Sequence, residues 1–159
     1  MTKKIGILLL ILISTSLFAQ KQLSTQPHTG PVTSLVQKGD YVFSSGEDGF
    51  VVRWDQNGLG DHLQVSDIAI KKIDISPDGR LIAVYESDEF SIHRISVWDW
   101  KTKTRKYAKR FTDTVLSLSF SHNGTYLMIG LSSSDGLVFL DAEYGIAMQL
   151  IKDQTSVVS

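Results

Sequence analysis

The chain has no cysteine among its 159 residues, only three prolines, and a formal net charge of −1. Without cysteine there is no disulfide framework and no attachment through a lipidated cysteine. A thiolate metal cage is excluded as well. The balance of 16 basic against 17 acidic residues gives no footing for nucleic acid or an anionic membrane surface. No Gly-x-Ser-x-Gly elbow is present, since the stretch from Gly130 to Gly136 fails that pattern. A phosphate loop and a His-Glu-x-x-His pair are also missing. The four histidines, His28, His62, His93 and His122, form no ligand cluster in sequence. The expectation is therefore a protein without cofactor, without metal and without a catalytic motif.

A long apolar run occurs once, at the start. Lys3 and Lys4 precede an apolar stretch from Ile5 to Ile13, then Ser14, Thr15 and Ser16, ending at Leu17-Phe18-Ala19-Gln20. This is the layout of a secretory signal peptide, residues 1–19, with cleavage after Ala19. The run is too short and too rich in hydroxyls to span a bilayer as a helix, which needs about 20 apolar residues. Removing Lys3 and Lys4 leaves 14 basic residues against 17 acidic, near −3. An exported protein without disulfides fits the periplasm or the exterior of a bacterium.

What the chain has in abundance is repetition. Trp54-Asp55 returns as Trp98-Asp99, 44 residues later, and as Leu140-Asp141 after 42 more. The segment from Ile75 to Ala83, containing Ser76-Pro77-Asp78-Gly79, is answered 45 residues on by Phe120 to Met128, containing Ser121-His122-Asn123-Gly124. Apolar residues open the units at Val32, Ile70, Val115 and Val157. Three markers in one period of about forty residues define a repeat protein.

Within each unit the pattern reads strand, turn, strand, turn, strand. Asp78-Gly79 and Asn123-Gly124 are pairs favoured where both central residues of a tight hairpin take positive φ. Asp48-Gly49 and Asp135-Gly136 mark the second hairpin of units one and three. Tyr41-Val42-Phe43, Phe50-Val51-Val52, Leu81 to Tyr85 and Tyr126 to Ile129 are short and apolar on both alternating faces, as in sheets covered on both sides. Fourth strands are expected at His62 to Val65, Lys103 to Ala108 and Ile146 to Ile151. The middle one lies in a run from Lys101 to Arg110 with six basic residues, read here as an outer edge kept from pairing by its lysines. Asn123-Gly124-Thr125 matches a glycosylation sequon, but the turn already accounts for it.

Four-stranded units of this length ending in Trp-Asp resemble the WD-repeat family. The resemblance covers the chain after Gln20, with units at 28–66, 67–110 and 111–152 and the start of another at 153–159. It implies an all-β fold, a β-propeller of four-stranded antiparallel blades, incomplete in this chain, with residues 20–159 forming a partial propeller. Lys21 to Gln26 stand where the family places the strand that completes its last blade, so self-association through open blade edges is expected. In unit one, His28-Thr29-Gly30-Pro31-Val32 and the segment from Ser45 to Asp55 carry the likeness best. The resemblance implies a structural hydrogen-bonded set of His28, Ser44 or Ser45, Asp48 and Trp54. A buried imidazole and indole need such acceptors, so the His-Ser-Asp combination points to structure and not to hydrolysis.

The other units depart from the pattern. At the histidine position they carry Ser66, Phe111 and Asp153, unit three has Leu140 for tryptophan, and Arg53 replaces a usual aliphatic residue. Unit two lengthens its second hairpin through Glu86-Ser87-Asp88-Glu89-Phe90-Ser91-Ile92-His93. Units two and three are accordingly expected to be degenerate blades held by packing.

On the propeller face carrying the second hairpins, Glu47, Asp48, Asp67, Glu86, Asp88, Glu89, Asp113, Asp135 and Asp153 gather against few cations. Glu86, Asp88, Glu89, Phe90 and His93 are the candidate contact surface for a protein or peptide partner of basic character. The expected function is an exported interaction scaffold or sensor domain. Two alternatives stay open: the N-terminal regulatory propeller of an enzyme whose catalytic domain lies beyond residue 159, and a quinoprotein-type cofactor-binding propeller.

Overall fold

The computed structural model of the chain describes residues 28–58, 60–133 and 136–151. The leader at 1–19, the segment from Lys21 to Gln26, Asp135 and the expected fourth unit at 153–159 lie outside the described residues. Among the described residues, twelve strands run in sequence order. Blade one holds β1 (Val32–Lys38), β2 (Tyr41–Gly46), β3 (Phe50–Trp54) and β4 (Gly60–Gln64). Blade two holds β5 (Ile70–Ile75), β6 (Leu81–Ser87), β7 (His93–Asp99) and β8 (Thr104–Phe111). Blade three holds β9 (Val115–Phe120), β10 (Tyr126–Leu131), β11 (Leu137–Asp141) and β12 (Ala147–Ile151). Each is an antiparallel meander. The first strands stand side by side, β1 against β5 and β5 against β9, so the sheets fan out from a common line.

Apolar alternation explains the stacking. All seven residues of β6 are buried. Leu81, Ala83 and Tyr85 pack with Leu127, Ile129, Val138 and Leu140 of blade three. Ile82 and Val84 face the other way, onto Phe43, Val51 and Leu63 of blade one. Each large side chain buried here stabilises by about 1.5–3 kcal/mol, and only a sheet covered on both faces can bury both sets. The lysine-rich β8 is the outermost strand of its sheet, as its charge pattern implied.

Two recurrent turns account for two of the sequence markers. Ser76 Oγ donates to Asp78 Oδ1 at 2.5 Å and accepts from the Leu81 amide at 2.8 Å. Ser121 and Asn123 repeat this, with Ser121 Oγ accepting from the Tyr126 amide at 3.0 Å. Only the glycines take positive φ, +74° at Gly79 and +73° at Gly124. The expectation of two positive-φ residues per turn is therefore corrected. Pro77 fixes a negative φ ahead of Asp78, so the turn closes from Gly79 N to Ser76 O at 2.8 Å with the glycine alone in the left-handed region. The aspartate after each tryptophan or leucine caps the next turn. Asp55 accepts from Asn57 N, Asp99 from Thr102 N, and Asp141 from Glu143 N and Tyr144 N, all at 2.8–3.0 Å.

Each blade also carries a β-bulge just after its opening apolar residue. The register skips Thr33 between Val32 and Ser34, Lys71 between Ile70 and Lys72, and Leu116 between Val115 and Ser117. A bulge leaves one residue unpaired and re-aims its side chain. Thr33 Oγ1 donates to the Ile70 carbonyl at 2.6 Å, tying blade one to blade two.

Candidate binding face

In blade one the polar set is assembled as a relay. Trp54 Nε1 donates to Ser44 Oγ at 2.9 Å, Ser44 lies 2.8 Å from His28 Nε2, and His28 Nδ1 sits 3.1 Å from both Asp48 oxygens. The network is satisfied by an imidazole carrying its proton on Nδ1, with the Ser44 hydroxyl donating to Nε2. Asp48 also accepts from Thr29 N at 2.8 Å and Phe50 N at 3.2 Å. Burial pushes the Asp48 carboxyl up, but the His28 hydrogen bond and the two amides outweigh it and hold it below its ordinary value. Of the two serines, the structure selects Ser44. Ser45 faces blade two and meets Thr33 instead. Ser44 is 3% exposed with its oxygen engaged by Trp54, which leaves no approach for a substrate carbonyl.

Blade two has a polar relay of its own, which corrects the expectation of packing alone. Trp98 Nε1 donates to Ser96 Oγ at 2.9 Å, and Ser96 donates to Glu86 Oε1 at 2.7 Å. Arg94 donates to Glu86 Oε2 and, at 3.1 Å, to Ser66 Oγ. The run starts at the tryptophan and ends at Ser66, the position His28 holds in blade one. Blade three has neither donor, and there Leu140 and Phe111 belong to an apolar cluster.

Glu86 is therefore 1% exposed and paired with Arg94, and it is not part of a contact surface. His93 is corrected in part: it is no projecting contact but a largely buried wall of the cleft between blades two and three. It is 8% exposed, with Nδ1 held by Tyr85 Oη at 2.8 Å and Ser87 Oγ at 3.2 Å. A hairpin lengthened by polar residues reads as a solvated loop in sequence. Here β6 and β7 continue pairing as far as Ser87 and His93, so only Asp88 to Ile92 project.

That short tip is rigidly built. Asp88 Oδ1 accepts from the amides of Phe90, Ser91 and Ile92 at 2.8–3.0 Å, and Oδ2 accepts from Ser91 Oγ at 2.9 Å. The amides hold the Asp88 carboxyl well below the ordinary carboxylate range. Glu89 takes φ +73° and ion-pairs with Lys71 at 2.5 Å. Phe90, at the tip, is 90% exposed. Beside it lies a cleft of about 370 Å³ between blades two and three, lined by Lys71, Lys72, Tyr85, Ser87, His93 and Leu116 among others.

The expected acidic face is paired in part. Glu86 faces Arg94, and Glu47 and Glu89 share Lys71, while Asp48 and Asp88 keep their charge within hydrogen bonds from His28 and from the loop amides. Among the described residues no group of histidines and carboxylates could hold a metal ion.

Three antiparallel four-stranded sheets fanned about their first strands have the geometry of propeller blades, and comparison with known proteins agrees. Residues 13–159 match the family described as an N-terminal beta-propeller domain (TP_0598_N). The chain belongs to this β-propeller family. A protein of Treponema pallidum (strain Nichols), described as an uncharacterized protein, is 37% identical over 131 residues, covering 81% of this chain. The chain spans 22% of that relative's length. Within this β-propeller domain, sequence reasoning missed Ser96, Tyr85 and Lys71, while Arg94 was expected only as a cation opposing the acidic face and Ser66 only as the residue at the histidine position. A two-residue spacing of serine before tryptophan, Ser96 to Trp98, was the one signal that could have revealed the second relay.

Proposed function

We propose that this β-propeller domain is an exported, WD-repeat-type interaction module that engages a protein partner through the Phe90 hairpin and the neighbouring cleft. The observation that carries the reading is Phe90 itself. A large aromatic held in water by a loop locked through Asp88 is preorganised for contact, and aromatic anchors carry much of the affinity at interfaces. Phe90 and Leu116 supply the apolar part of such a contact, and the negative charge left on Asp88 and on the group of Glu47, Lys71 and Glu89 suits a partner with basic groups. The blade relays act as structural ties, and no catalytic role is assigned to them. Export with cleavage near Ala19 belongs to the same proposal, with an intact mass lacking about 19 residues as its check.

The test is a photoreactive phenylalanine analogue at position 90 in the native host. A defined cross-linked partner, lost when Asp88→Ala loosens the loop, supports the reading, and absence of any specific adduct overturns it. A second reading makes the propeller a regulatory domain of a longer enzyme. The relative's greater length favours it. Activity in the longer polypeptide that responds to Phe90→Ala would select that reading.

A further inference from the structure

On the opposite face, the groove between blades one and two holds an unusual concentration of cations. Arg53 on β3, Arg80 in the β5–β6 turn, and Lys101 and Lys103 in the β7–β8 turn line a cleft of about 450 Å³ together with Trp100, Asp61 and Asp78. Arg80 is occupied by Asp78, Asp99 and Glu143. Arg53 and Lys103 share one carboxylate, since Asp61 Oδ2 lies 2.8 Å from Lys103 Nζ and 3.7 Å from Arg53 Nη2, and Lys101 lines the cleft beside them. Both cations also sit over the Trp100 ring, Lys103 at 3.0 Å and Arg53 at 5.4 Å from its centroid.

Two further observations mark the place as built for more than packing. Lys103 takes φ +57°, and the corresponding turn position in blade three is Gly145 at +69°. A lysine at this φ carries backbone strain that glycine would not, the kind of local strain that clusters at ligand-binding positions. The Trp100 indole N–H, buried beside the cleft, has no acceptor among the described residues. Burial, together with the nearby Arg53 charge, holds the Lys103 ammonium below its ordinary value despite Asp61.

We propose that this cleft binds a carboxylate-bearing ligand, either a small dicarboxylate or an acidic side chain of a peptide, between Arg53, Lys101 and Lys103. Asp61 already demonstrates the chemistry, a carboxylate bridging the two cations at the groove wall. A second carboxylate would relieve the repulsion between them, and a guanidinium fork with an adjacent ammonium matches its oxygens. The volume lies within the range of small-ligand sites.

The experiment is a tryptophan-fluorescence titration of the full chain with succinate, a triglutamate peptide and inorganic phosphate. A saturable response to succinate or triglutamate is expected, and which one binds more tightly identifies the source. Lys103→Gly should weaken that response by about tenfold or more while leaving the thermal midpoint no lower, because glycine suits the backbone there. Arg53→Leu, restoring an aliphatic residue, should weaken it similarly. No saturable response to either carboxylate, or affinity unchanged in both variants, overturns the proposal. So does phosphate binding more tightly than either carboxylate. A wild type that binds nothing, with Lys103→Gly lowering the midpoint, would make Lys103 a tie between blades.

Discussion

Gly46 and Glu86 occupy the same register position, each opposite the first residue of its blade, Val32 and Ile70, and only one of them has room for a side chain. A Cβ on Gly46 would lie 2.8 Å from both His28 Nδ1 and Asp48 Oδ1. Blade two lacks that histidine, and the Glu86 carboxylate joins its relay. The serine has moved with it: Ser44 stands on β2 across from Val52, whereas Ser96 stands on β7 across from Val84. Hydroxyl and valine have exchanged strands, and each tryptophan N–H still finds its oxygen at 2.9 Å.

Both positions should lose stability on change to alanine, one by overfilling and the other by removing a partner. Gly46→Ala should destabilise by about 1–3 kcal/mol through overpacking onto the imidazole. Glu86→Ala should cost about 3 kcal/mol, the lower end for a broken buried pair, because Arg94 is a fifth exposed. Chemical denaturation of both variants checks this. A Glu86→Ala protein as stable as the parent would show that its pairing with Arg94 and Ser96 contributes nothing net.

In the blade-one relay, Asp48→Ala leaves the His28 N–H and two amides without their acceptor. The expected loss is about 1–3 kcal/mol. Trp54→Ala should cost more, about 3–5 kcal/mol, through the cavity left behind. Equilibrium unfolding in urea gives both numbers.

Acid should weaken the fold in a defined window. Asp78 is held below its ordinary value by the Ser76 hydroxyl, Asp99 by the Thr102 amide and Glu143 by Arg80. A depressed folded-state value means stability that is fully present above the unfolded value, near pH 4, and lost as pH falls through the folded value. The thermal midpoint should therefore hold steady from neutrality to about pH 5 and fall below about pH 4. A midpoint unchanged down to pH 3 would contradict these pairings.

The Asp88 loop offers a local test. Phe90→Ala should change global stability by no more than about 0.5 kcal/mol, since the ring is exposed. Asp88→Ala should instead release the tip, raising chymotrypsin cleavage after Phe90 and amide exchange at Ser91 and Ile92. Equal cleavage rates in parent and variant would mean that the loop is held by something other than the carboxylate.

The repeat was legible because its signals are local. Ser-x-Asp/Asn-Gly turns, Trp-Asp or Leu-Asp ends and β-branched runs each act within a few residues, so the strand order and the doubly covered sheets followed from the sequence. The set of His28, Ser44, Asp48 and Trp54 was legible through resemblance, although only the register separates Ser44 from Ser45. Glu86 and His93 were misplaced because a polar stretch between two strands looks the same whether the ladder stops early or continues through it. The second relay stayed hidden because its serine sits on the tryptophan's own strand, two residues before it, whereas in blade one the serine comes from the neighbouring strand. Lys103 gave no warning, since nothing in its neighbours announces a left-handed backbone.

The bulges at Thr33, Lys71 and Leu116 turn one letter per forty into a variable setting on a fixed frame. Pairing resumes immediately on either side, so the residue at that place can be a hydroxyl, an ammonium or an alkyl group without disturbing the ladder. In this chain the three choices do three different jobs: a hydroxyl that ties two blades, a cation that gathers two carboxylates, and a bare hydrocarbon beside the cleft. These three side chains can be changed one by one while every hydrogen-bonded strand stays where it is.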